Sequence, residues 1–90
     1  MANPTEVSLT AGSWVKVATN ATSGIIERKD SFNSRDQVIL RTYRATGDPA
    51  PTDEVGAVAW EDGFLKIEAS AGIDVYLKPL KRNTKVVVAL

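Results

Sequence analysis

The sequence predicts an all-β protein, a single small antiparallel β-sandwich or barrel of about seven short strands. Apolar residues recur at every second position, and β-branched residues dominate wherever they cluster. Gly, Pro and Asp residues separate these clusters at intervals of roughly 8–12 residues, which is typical of small antiparallel folds. No window long enough for a helix has an apolar stripe with capping residues at its ends. We therefore expect helices of at most a single turn.

The first predicted strands cover residues 6–10, 13–18 and 25–29. Ala11-Gly12 separates the first strand from the second, and a turn-rich segment at residues 19–24 separates the second from the third. In the second strand Val15 and Val17 share one face, which leaves Trp14 on the other. Residues 30–35 are polar apart from Phe32 and predict a loop.

The remaining predicted strands cover residues 37–45, 56–60, 64–69, 73–78 and 85–90. The segment TGDPAPTDEVG, which holds two prolines, predicts an extended connection between the first two of these strands. Residues 56–60 and 64–69 read as a hairpin, because Glu61-Asp62-Gly63 places an Asp-Gly turn signal between them. In residues 73–78, Val75 and Leu77 alternate with Tyr76, and the valine-rich last strand predicts a segment with both faces covered.

Length and composition predict one domain at residues 7–90, preceded by a flexible arm at residues 1–6 that contains Asn3-Pro4 and no apolar anchor. The formal net charge is zero, so no basic excess attracts nucleic acid or an anionic membrane, and we expect neither as a partner. The absence of Cys and His excludes disulfides, Cys-rich zinc sites and a Ser-His-Asp triad. The first residues do not form a signal peptide, and no apolar stretch approaches the ~20 residues of a membrane span.

Acidic side chains offer the only candidates for chemistry. Asp53-Glu54 and Glu61-Asp62 could act as paired carboxylates in glycoside hydrolysis, and together with Asp48 they could bind Ca²⁺. Solvated turn residues explain them equally well, and the spacing lacks the pattern of a dedicated calcium loop. No glycine-rich motif supports nucleotide binding. We therefore expect no catalytic residue, no metal and no cofactor.

Charge and aromatic patterning favour a binding role instead. Five acids and no base lie between Ala45 and Leu65, whereas four bases and no acid lie from Lys78 to Lys85, including Lys81 and Arg82. A molecule with one acidic and one basic side can associate acid to base with its own copies, although two solvated loops explain the pattern as well. Alternation also predicts that some aromatic rings point outward, which would make them contact residues for protein or sugar. The predicted interface residues are Trp14, Tyr43, Asp53, Glu54, Trp60, Tyr76, Lys81 and Arg82.

The order of these motifs resembles small β-rich virion proteins of tailed bacteriophages. The similar features are the opening LTAGSW at residues 9–14, RTYR at residues 41–44, the Pro-containing link, DVYLK at residues 74–78 and the terminal valine strand. The resemblance implies a non-enzymatic structural protein of the virion, made in the host cytoplasm. It would be a capsid decoration or cement subunit, or a head–tail accessory subunit, whose partners are the major capsid, connector or tail protein and its own copies.

Two alternatives remain open at this point. The chain could be a carbohydrate- or receptor-binding module of the tail, with Trp14, Trp60 and Tyr76 as stacking rings. It could also be a small enzyme that uses Asp53, Glu61 or Asp62.

Overall fold

Six antiparallel β-strands form one curled sheet, a half-barrel, in the computed structural model. The structure describes residues 4–29, 38–60 and 63–90. The strands are β1 (Thr5–Leu9), β2 (Val15–Arg28), β3 (Ile39–Ala45), β4 (Val58–Trp60), β5 (Phe64–Pro79) and β6 (Thr84–Ala89). Their order across the sheet is β1-β6-β2-β5-β3-β4. The predicted all-β class is confirmed, and the described residues contain no helix that could cross a membrane.

Two pairs of predicted strands are single long strands, so the prediction of separate short strands was wrong there. Residues 13–18 and 25–29 both contribute to β2, and residues 64–69 and 73–78 both contribute to β5. The pairing of β2 with β5 shifts register three times between Lys16 and Ser23. Asn20, at a φ of 52°, lies within this irregular stretch. The turn-like residues therefore form bulges that bend two continuous strands, because a bulge uses the same positive-φ positions as a turn.

The predicted hairpin of residues 56–60 and 64–69 does not form within the described residues. Instead, β4 pairs with β3, and the first half of β5 pairs with β2 from Ser23 to Glu27. Glu61 and Asp62, its predicted turn, lie outside the described residues. The predicted flexible arm also extends too far, because Thr5 and Glu6 of β1 pair with Val88 and Val87 of β6. Residues 1–3 lie outside the described residues. So do Phe32, in the predicted loop at residues 30–35, and Gln37, at the start of the strand predicted at residues 37–45.

The core lies on the inner face of the half-barrel. The most deeply buried apolar side chains alternate along the strands, as the period-two pattern requires. They are Leu9, Ile26, Ile39, Val75, Leu77 and Val86, each with at most 1% of its surface exposed. Leu65 and Ile67 continue this inner face along the first half of β5. The even-numbered residues of β5 therefore lie on the outer face of the sheet in both of its halves.

Candidate interaction surface

The connection between β3 and β4, residues 46–57, crosses the outer face of the sheet. We call this connection the strap. Thr46 Oγ1 at its start donates a hydrogen bond to Asp74 Oδ1 at 3.3 Å, and Glu54 near its end accepts one from Lys78 Nζ at 2.7 Å. Asp74 and Lys78 stand two residues on either side of Tyr76 on the same face of β5. The strap is therefore tied to the sheet on both sides of that ring.

Trp14 holds the strap from the side of β2. Its indole Nε1–H donates to the backbone oxygen of Asp53 at 2.9 Å, and Lys78 Nζ lies 5.8 Å from the centre of its ring. The Asp53 carboxylate accepts a hydrogen bond from the backbone N–H of Val55 at 3.0 Å. The structure thus brings together three predicted interface residues, Trp14, Asp53 and Glu54, in contacts that fix the strap. A glycosidic or calcium-binding role for Asp53 and Glu54 would have to displace these contacts.

The prediction that Tyr76 points outward into solvent was wrong. Alternation placed its ring correctly on the face opposite Val75 and Leu77, but only 3% of Tyr76 is exposed. The ring is not part of the inner core, and its cross-strand neighbours are Lys16 and Thr42. The strap passes over this region of the sheet, so the Tyr76 ring is buried by a segment that is distant in sequence.

Asp74 is buried at the bend of β2 and β5, with 1% of its surface exposed. Its carboxylate accepts a hydrogen bond from the backbone N–H of Asn20 at 3.0 Å and lies 3.4 Å from Lys16 Nζ. The hydrogen bond from Asn20 and the positive charge of Lys16 lower the pKa of Asp74 despite the opposing effect of burial. The same carboxylate, by hydrogen bond and by charge, raises the pKa of Lys16. These mutual contacts indicate a structural ion pair that holds the bend.

The predicted separation of acidic and basic sides was wrong for Lys78, and a second base of the basic segment, Lys85, pairs with an acid elsewhere in the chain. Lys78 pairs with Glu54 of the acidic segment, and Lys85 pairs with Glu6 at 3.3 Å. Lys81 and Arg82 are exposed in the loop between β5 and β6. Acid-to-base association between copies is weakened, because Lys78 and Lys85 are already paired within one chain.

Trp60 was predicted as a contact residue but is buried, with 3% of its surface exposed. Its Nε1–H donates to the Phe64 backbone oxygen at 3.3 Å, and the Arg28 guanidinium lies 5.6 Å from its ring centre. Tyr43 is exposed, and its hydroxyl accepts a hydrogen bond from Arg41 Nη1 at 2.9 Å. The three rings proposed for sugar stacking therefore share no open surface, since Trp60 and Tyr76 are buried and Trp14 holds the strap.

The half of the outer face that the strap leaves uncovered carries an apolar patch that the sequence analysis missed. Its residues are Ile25, Phe64, Val87 and Ala89, which we call the outer patch. Phe64 is 60% exposed and Ile25 is 47% exposed, while Val87 and Ala89 are half-buried. Strand register places them together, because Glu27 lies between Phe64 on one side and Val87 on the other, and Ile25 is paired with Ala89.

Charged residues of both signs surround the outer patch. Glu6 contacts Lys85 at 3.3 Å and Lys29 at 3.9 Å, and Glu68 contacts Lys66 at 2.9 Å. The hydrogen bond to Glu68 raises the pKa of Lys66. Glu27 takes part in none of the salt bridges within the described residues, although it stands inside the patch. An apolar centre with a charged rim is the usual anatomy of a protein–protein interface.

A groove opens between β1, the first half of β2 and the residues that follow Val87. This groove has a volume of about 340 Å³, and its lining comes from β1, the first half of β2 and the end of the chain at Thr5, Val7, Lys16, Val17, Ala18, Thr19, Val88 and Leu90. Its only charged lining residue, Lys16, is paired with Asp74. Among residues 4–29, 38–60 and 63–90, no group of three or more carboxylates lies close enough to hold a metal ion.

No protein-family model matches the chain, and neither a curated protein nor a solved structure matches it.

Proposed function

We propose that this chain is a non-enzymatic structural protein of a tailed-phage virion, acting as a capsid decoration or cement subunit or as a head–tail accessory subunit. It would stabilise the particle by adding protein–protein contact area, and its partners would be the major capsid, connector or tail protein and its own copies. The observation that carries the proposal is the outer patch, an apolar area on an otherwise well-packed domain.

The exposed fraction of Phe64 supports a contact role. Large aromatic side chains are enriched at the centres of protein interfaces, where they bury much area with few rotatable bonds. Isolated exposed apolar residues are common on any protein, but contiguous ones rimmed by charge mark interaction surfaces. Ile25 and Val87 lie near Phe64 on neighbouring strands, so the area is contiguous.

Two observations favour this role over the alternatives. The carboxylates proposed for catalysis that the structure describes, Asp53 and Glu54, are engaged in contacts that hold the strap. The sugar-binding alternative relied on Trp60 and Tyr76, and both rings are buried. The resemblance of the sequence to small virion proteins gives the setting in which a small contact module would act.

Co-sedimentation tests the proposal. The purified protein is mixed with empty heads, mature heads, connectors and tails of a tailed phage whose genome encodes this sequence. We expect association at a fixed ratio with at least one preparation. If the wild-type protein associates with none of them, the proposed function is wrong.

A matched pair of variants tests the role of the outer patch. Phe64→Asp places a charge in the patch, whereas Val55→Asp changes a 77%-exposed side chain on the strap. We expect Phe64→Asp to raise the dissociation constant at least tenfold, a loss of about 1.4 kcal/mol, and Val55→Asp to change it little. The opposite result would assign the contact to the strap and remove the patch from the proposal.

A further inference from the structure

We infer that the outer patch binds the outer patch of a second copy of this chain around a two-fold axis. The inference rests on the proposed function in one respect, namely that the patch is a protein contact surface. It goes further by naming the occupant and the pairs of side chains that meet.

The register of β2 and β5 places four side chains at the corners of a small rectangle. Glu27 is paired with Phe64, and Ile25 is paired with Lys66. All four lie on the outer face, because the intervening residues Ile26 and Leu65 are buried in the core. One diagonal of the rectangle therefore joins two apolar residues, Ile25 and Phe64. The other diagonal joins two residues of opposite charge, Glu27 and Lys66.

This arrangement is self-complementary for one orientation of a two-fold axis. When two sheets face each other and the axis runs along the Ile25–Phe64 diagonal, each apolar side chain meets its own equivalent. The same rotation exchanges the other two corners, so Glu27 of each copy meets Lys66 of the second copy. The symmetry produces this pair twice, as an isologous interface requires.

The electrostatics also favour a second copy over a partner of one charge sign. Among the residues that the structure describes, the outer patch and its rim include three acids, Glu6, Glu27 and Glu68, and three bases, Lys29, Lys66 and Lys85. Glu27 lacks an ion-pair partner within the described chain, and an amine from outside would supply one. Lys66 already contacts Glu68, but its ammonium has three donors and can accommodate a second carboxylate. The net charge of the whole chain is zero, so two copies approach without long-range repulsion.

Charge reversal tests the predicted pair. Sedimentation velocity at rising concentration is compared for the wild type, Glu27→Lys, Lys66→Glu and the double variant Glu27→Lys/Lys66→Glu. We expect a monomer–dimer equilibrium for the wild type, a dissociation constant raised at least tenfold in each single variant, and recovery to within about threefold in the double variant. Glu27 and Lys66 are both exposed, so these changes should leave the fold intact, and tryptophan emission, to which the buried Trp60 contributes, checks this in each variant.

Crosslinking tests the position of the axis. The chain has no cysteine, so Phe64→Cys and the control Val55→Cys each carry a single thiol. Facing sheets pack about 10 Å apart, which is too far for a disulfide but within the reach of a short bis-maleimide. We expect the reagent to convert Phe64→Cys into a covalent dimer with a yield at least fivefold above that of Val55→Cys.

The outcomes separate this inference from the proposed function. A wild-type protein that remains monomeric at millimolar concentration, or a double variant that is no better than the single variants, overturns the two-fold pairing. Such a protein can still bind phage heads, connectors or tails, in which case the patch contacts a different protein. Conversely, a wild-type dimer that binds none of these preparations supports the pairing and contradicts the virion role.

Discussion

A methyl group added at Gly72 should destabilise the domain because Asn20 occupies the space it would need. A Cβ at residue 72 would overlap the Asn20 amide oxygen and lie 2.8 Å from its Cγ and 3.3 Å from its Cα. Asn20 must then rotate away from the bend. Overpacking of this kind costs about 1–3 kcal/mol. The lower chain entropy of the unfolded alanine variant offsets roughly 0.4–1 kcal/mol of that cost.

The expected net loss for Gly72→Ala, from the middle of these two ranges, is therefore about 1.3 kcal/mol in the free energy of unfolding. For a domain of this size, that loss lowers the melting temperature by roughly 5–10 °C. Urea unfolding followed by tryptophan fluorescence, to which the buried Trp60 contributes, measures it. Gly63→Ala is the matched control, because no atom of the described residues, its chain neighbours aside, lies within 4 Å of the added methyl group there.

The cause of the loss is tested in an Asn20→Gly background. Glycine accepts the φ of 52° at this position, and the amide that causes the overlap is gone. Of the three atoms nearest to the added methyl group, the backbone Cα at 3.3 Å then remains, so Gly72→Ala should be close to neutral. The coupling between the two sites should be about 1–2 kcal/mol. If Gly72→Ala costs the same with and without the Asn20 side chain, steric overlap is not the reason.

Three further predictions concern the ion pair, the strap and the last strand. The pKa of Asp74 is lowered in the folded state, so its contribution to stability should be present above the unfolded pKa of about 3.9 and lost as the pH falls below it. The difference in urea midpoint between wild type and Asp74→Asn should therefore shrink from pH 7 to pH 3. A constant difference would contradict this account. Trp14→Phe keeps a ring beneath Lys78 but removes the hydrogen-bond donor to Asp53, which should weaken the attachment of the strap by about 0.5–1.5 kcal/mol. The rate of amide hydrogen exchange in residues 46–57 should then rise roughly 2- to 10-fold, without a comparable change in β6. Deletion of residues 86–90 removes the buried Val86 and Val88 and three of the five residue pairs that join β1 to β6, so cooperative thermal unfolding should be lost. A truncated protein that still melts cooperatively would show that these residues are dispensable.

Much of the fold follows from local sequence patterns. The period-two alternation identified the inner face of the second half of β5 and of β6, because Val75, Leu77 and Val86 are buried where the pattern placed them. Strand continuity could not be predicted in the same way. Asn20 and Gly72 give the same sequence signal in a turn and in a bulge, and only the pairing of β2 with β5 distinguishes the two cases.

Burial on the outer face depended on contacts between distant segments. Alternation shows which face Tyr76 occupies, but the segment that crosses this face comes from residues 46–57. The outer patch was hidden for a related reason. Ile25, Phe64 and Val87 are apolar residues next to buried neighbours in three separate predicted strands, and only the sheet order and register bring them together.

The two halves of the outer face present one physical problem with two solutions. A strongly curved sheet that buries its inner face in a small core still has apolar and aromatic side chains on its outer face. Over the half around Tyr76, the strap excludes water and is held by Trp14, Glu54 and Lys78. Over the half around Phe64, the described chain supplies no equivalent cover. The rectangle formed with Ile25, Glu27 and Lys66 has apolar residues on one diagonal and opposite charges on the other, so a second copy would provide for Phe64 what the strap provides for Tyr76.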